Sequence, residues 1–79
     1  GTFFKRGDEW QISTYDEARH SKNLLTVKFG SPLYFKLMAK YSDAGKYCAL
    51  GKKVLFEING KFIRISDTGD EKAELIDKF

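Results

Sequence analysis

The chain has 79 residues, 42% of them hydrophobic and 15% aromatic, and 14 basic against 11 acidic side chains give a net charge of +3, which suits one small domain, residues 1–79, with a thin core. The single cysteine, Cys48, excludes an intrachain disulfide, and Cys48 with the single His20 cannot furnish the four nitrogen and sulfur ligands of an ordinary zinc site. No apolar run approaches the ~18 residues of a membrane helix, so no bilayer insertion is expected, and with no cofactor-binding pattern in the sequence no cofactor is expected either.

The chain opens Gly1-Thr2-Phe3-Phe4 without an initiator methionine and without the apolar core of a signal peptide. Such a start fits a processed product, an excised segment or a residual tag residue, and leaves the compartment open. Phe3-Phe4 is compatible with an edge strand. Arg6-Gly7-Asp8 reads as a turn, and Trp10 and Ile12 alternate with Gln11 and Ser13 as a strand over about 9–15. A polar stretch from Asp16 to Asn23 follows.

Leu25, Val27 and Phe29 then alternate with Leu24, Thr26 and Lys28, predicting a strand over 24–29. After the turn Gly30-Ser31-Pro32, the run Leu33, Phe35, Leu37, Ala39, Tyr41 alternates with Tyr34, Lys36, Met38, Lys40, predicting a long strand over 33–41. Ser42-Asp43-Ala44-Gly45 reads as a turn, 46–50 as a short strand, and Gly51-Lys52-Lys53 as another turn.

The strongest local signal is VLFEINGKFIRI, residues 54–65. Asn59-Gly60 between β-branched and aromatic runs predicts a type I′ hairpin of strands 54–58 and 61–65, with Glu57 opposite Phe62 and Phe56 opposite Ile63. Val54, Phe56, Ile58, Ile63 and Ile65 then share an apolar face. The other face carries Leu55, Glu57, Phe62 and Arg64, with Glu57 and Arg64 placed to pair. Finally Thr68-Gly69-Asp70-Glu71 matches a capping box, with Ala73, Leu75, Ile76 and Phe79 at helical spacing, predicting a helix over about 69–78.

The expected fold is therefore mostly β: a small antiparallel β-sandwich or barrel of five to six strands with one C-terminal α-helix. Its expected core is Trp10, Ile12, Leu25, Val27, Phe29, Leu33, Phe35, Leu37, Val54, Phe56, Ile58, Ile63, Ile65, Ile76 and Phe79.

Several motifs fail on their context. Asp67-Thr68-Gly69 is the aspartic-protease tripeptide, but Ser66 stands where an apolar residue belongs and ten residues remain after it. Gly45 to Lys53 departs from phosphate-loop spacing, with Lys53 where a magnesium-binding hydroxyl belongs. As a nucleophile and base Cys48 and His20 lack an orienting third group, Arg6-Gly7-Asp8 spells the integrin-binding tripeptide only as a short chance match, and the residues within Asp8-Glu9 and within Asp16-Glu17 point to opposite strand faces. No catalytic set emerges, so the chain is expected not to be an enzyme.

Charge is unevenly spread. Residues 1–18 carry −2, residues 19–64 carry ten basic groups against Asp43 and Glu57 for +8, and residues 65–79 carry −3. In that basic middle, Tyr34, Lys36 and Lys40 on one strand and Phe62 and Arg64 on the hairpin are the candidate partner-binding residues. The expectation is a non-catalytic module for protein–protein interaction or assembly, including self-association. The alternative is single-stranded nucleic acid, stacked on the aromatics with phosphates on Lys and Arg.

Overall fold

The hairpin forms in the expected register. In a computed structural model describing residues 2–79, Asn59 and Gly60 take φ of 53° and 78°, and Val54↔Ile65, Leu55↔Arg64, Phe56↔Ile63, Glu57↔Phe62 and Ile58↔Lys61 face one another. A two-residue turn with both central φ positive matches the right-handed strand twist. Around this pair the chain builds β1 (Phe3–Arg6), β2 (Glu9–Ile12), α1 (Glu17–His20), β3 (Leu24–Lys28), α2 (Pro32–Lys40), α3 (Ala44–Cys48), β4 (Val54–Ile58), β5 (Lys61–Ser66) and α4 (Leu75–Lys78).

The five strands form one mixed sheet in the order β1-β2-β4-β5-β3. β1–β2 and β4–β5 are antiparallel hairpins, while β2–β4 and β3–β5 run parallel. This sheet with several short helices replaces the expected antiparallel sandwich or barrel.

Two of the expected strands are helices. Residues 33–40 fall in α2 with Tyr41 as its C-cap, and the helix begins where the Ser31 hydroxyl accepts the Tyr34 N–H at 3.2 Å and Pro32 occupies the first turn. Residues 46–50 fall in α3 and the turn after it. The physical reason is compositional: from Pro32 to Lys53 there is no Val, Ile or Thr, and Leu, Lys, Met and Ala favour helix. Leu33, Tyr34 and Leu37 then form the buried side of α2. The strands expected over 9–15 and 24–29 end at Ile12 and Lys28.

The C-terminal expectation also changes. Gly69 adopts φ 144°, and Asp70 runs beside β3, its N–H donating to the Thr26 carbonyl and its carbonyl accepting from the Lys28 N–H, both at 2.9 Å. A Cβ on Gly69 would stand 2.8 Å from that Thr26 oxygen, so glycine permits the approach. No capping box forms, and the helix is confined to Leu75–Lys78. The Asp70 segment thereby closes the β3 edge, with a parallel bridge between Val27 and Asp70.

The main core lies between one sheet face and the helices. Val27, Val54, Phe56, Ile63 and Ile65 from strands meet Leu33, Leu37, Ala44 and Ile76, all buried. Trp10, Leu25, Ile58 and Phe79 pack partly buried around them. Phe29 and Phe35, expected inside, are exposed, because the helical period turns Phe35 outward; Leu55 and Phe62 are buried instead.

Candidate interaction surfaces

The second face of the hairpin has two halves. Over the first half, Asp16 caps α1 by accepting the Ala18 N–H at 3.0 Å, and its own N–H donates to His20 Nδ1 at 3.0 Å. This local knot holds two rings against the sheet. The centroid of Phe62 lies 4.6 Å from that of His20 and 5.1 Å from that of Tyr15, the latter edge-to-face. Thr14 donates to Glu57 at 3.1 Å, and Ile12, Leu55 and Phe62 become a small second core.

The other half stays open as a cleft of about 620 Å³ lined by residues including Gln11, Glu9, Arg64, Arg6, Asp8 and Lys53. Arg64 does not pair with Glu57 as expected. It donates to Glu9 at 2.9 Å, while Gln11 donates to the other Glu9 oxygen at 3.3 Å. Lys53 lies 2.9 Å from Asp8 and 3.5 Å from Asp67, and it holds the Asp8 carboxyl below its ordinary pKa. Burial, then the hydrogen bond to Glu17, pushes Tyr15 up to about 12. Arg6, Lys53 and Arg64 are matched in number by Asp8, Glu9 and Glu17 around the cleft, so it offers an anion little net attraction.

The five sequence-derived site residues do not share a surface. Tyr34, Lys36 and Lys40 belong to α2, on the helix side, whereas Phe62 and Arg64 point to the opposite sheet face. Phe62 is 2% exposed beneath Tyr15 and His20. Lys36 and Lys40 both reach Asp77, at 2.9 and 3.6 Å. Tyr34 is buried, its phenol close enough to the Cys48 thiol to influence it. Burial pushes that thiol up to about 11, and Cys48 and His20 sit on different sides of the sheet.

Beside Lys36 and Lys40, α2 presents an apolar stripe outward. Pro32, Phe35 and Ala39 are exposed and, at 100° per residue, fall within an arc of roughly 60°. Phe35 is 62% exposed and Phe29 41%, and the Tyr34 ring lies between them, 5.3 and 5.0 Å from each. A helix apolar on its inner and outer sides alike is ordinarily covered on both. The signal was present as Pro32, Phe35, Ala39 at i, i+3, i+7, but the alternating pattern in the same residues concealed it.

The strand β1 is the remaining feature. Among the described residues it pairs only with β2, and Phe4, Lys5 and Arg6 are exposed. Compared with known proteins, the chain matches no family model, no curated protein and no solved structure. Function therefore has to be argued from these surfaces.

Proposed function

We propose that the chain is a non-catalytic protein-interaction module that docks a partner on the outer stripe of α2. The observation that carries this reading is the exposure of Phe35 and Phe29 around Tyr34, on a helix whose inner side is already packed in the core. Burying a Phe ring of that kind in an interface contributes about 1.5–3 kcal/mol, and aromatic anchors dominate many interfaces. The nucleic-acid alternative has less support, because Lys36, Lys40 and Arg64 are each engaged by a carboxylate.

The test compares the wild-type chain with Phe35→Glu as bait in its native cell extract, with and without nuclease. Phe35→Glu changes an exposed side chain and is expected to leave the fold intact. The expected result is a stoichiometric protein that co-purifies with wild type, survives nuclease, and is lost with Phe35→Glu. Co-purification that persists with Phe35→Glu, or that nuclease abolishes, contradicts the reading.

A further inference from the structure

The two edges of the sheet are treated differently by the chain itself. At β3 the edge is closed over Thr26 to Lys28 by Asp70, which bonds to the strand backbone, and the next residue, Glu71, lies 3.8 Å from Lys28. At β1 nothing comparable is present among the described residues. We propose that β1 takes up an extended acidic segment of another protein as a sixth strand of the five-stranded sheet.

The hydrogen-bond phase of β1 defines the site. Ser13 N–H donates to the Thr2 carbonyl at 2.8 Å, and Thr2 and Ser13 continue the pairing of Phe3↔Ile12 through Arg6↔Glu9. Backbone groups in an antiparallel pair alternate in direction. Thr2, Phe4 and Arg6 therefore bond inward to β2, and the N–H and C=O groups of Phe3 and Lys5 point outward. These are four backbone groups along an edge that a strand can satisfy.

Charge selects the occupant. Lys5 and Arg6 are exposed on this edge and take part in no ion pair among the described residues, with Arg6 also bordering the charge-balanced cleft. Lys5 lies over the ring of Trp10 on the neighbouring β2 at 5.7 Å, so its ammonium rests over the sheet and swings outward to meet an occupant. A second copy of this chain would bring another Lys5 and Arg6 to the same junction, and lysine on an edge strand works against such self-pairing. The favoured antiparallel occupant, read from its N-terminal end, has two acidic residues facing Arg6 and Lys5 and then two apolar residues facing Phe4 and Phe3. This site is separate from the α2 stripe and shares with it only the reading of the domain as an interaction module.

The experiment is amide hydrogen exchange by NMR on the full chain. The probe is a capped hexapeptide of threonine, two glutamates, two valines and threonine, added to millimolar concentration at low salt. The control has lysines for the glutamates. The expected result is exchange at Phe3 and Lys5 slowed at least tenfold by the acidic peptide and not by the control, with the preference reversed in the double variant Lys5→Glu, Arg6→Glu. Phe35→Glu should leave peptide binding unchanged, so failure of either surface is read separately. Unchanged exchange at Phe3 and Lys5, or equal slowing by both peptides, overturns the proposal. Slowing without peptide that grows with protein concentration, together with a dimer by sedimentation, also overturns it by assigning the edge to a second copy.

Discussion

The guanidinium of Arg64 on β5 reaches across β4 to the carboxylate of Glu9 on β2, Nε to Oε2 2.9 Å. Their side chains are 27% and 17% exposed, and Gln11 shares the same carboxylate. This pair links the two hairpins across the sheet's open face. Arg64→Ala should cost about 1–3 kcal/mol, because it leaves a largely buried carboxylate without its charged donor. A double-mutant cycle with Glu9→Gln, followed by thermal melting, should show clear coupling between the two positions. Additive effects would mean that the pair does not join the hairpins.

Phe56 and Phe35 provide the sharpest test of the helix assignment. Phe56 is fully buried in the main core, so Phe56→Ala should cost about 3–5 kcal/mol. Phe35→Ala should fall within about 0.5 kcal/mol of wild type, since its ring touches solvent more than protein. Were 33–41 a strand with Phe35 inward, both variants would be severely destabilised.

That contrast also explains what could be read in advance. The 54–65 hairpin was legible down to each facing pair, because Asn-Gly turn chemistry and strand alternation agree there. Residues 33–41 satisfy two periods at once: Leu33, Phe35, Leu37 alternate, while Leu33, Tyr34, Leu37, Met38 and Tyr41 follow a helix. Ser31-Pro32 and the absence of β-branched residues decide between them, and both signals favour helix. The site residues were scattered by the same ambiguity. Burial of Phe62 depends on Tyr15 and His20, more than forty residues earlier in sequence, and no local pattern encodes that contact.

The two glycines Gly69 and Gly45 should respond oppositely to alanine. At Gly69, φ of 144° and the Thr26 carbonyl 2.8 Å from a Cβ make Gly69→Ala destabilising, by more than about 1 kcal/mol. Hydrogen exchange at the amides of Lys28 and Asp70 should accelerate, as their bonds close the β3 edge. Gly45 lies in α3 with open space around it, so Gly45→Ala should stabilise by about 0.5–1 kcal/mol.

Alkaline pH should weaken the fold through two partly buried groups. Burial raises Cys48 from 9.0 to about 11, and burial with the Glu17 contact raises Tyr15 from 10.0 to about 12. A raised folded-state pKa gives stability that is intact below the unfolded value and lost as pH passes the folded one. The melting temperature should therefore decline from about pH 9 to about pH 12. A phenolate absorbance step near pH 12 should disappear in Tyr15→Phe. Iodoacetamide should label Cys48 slowly at about pH 8, because little thiolate is present.

The most direct test of the account is site-specific photocrosslinking in the native extract, from a benzophenone amino acid at position 35 and, separately, at position 61, an exposed site on the β4–β5 hairpin. The account predicts one protein adduct from position 35 that resists nuclease and is absent from position 61. No adduct from position 35, or one that requires nucleic acid, would contradict the claim that α2 is the docking surface for a protein.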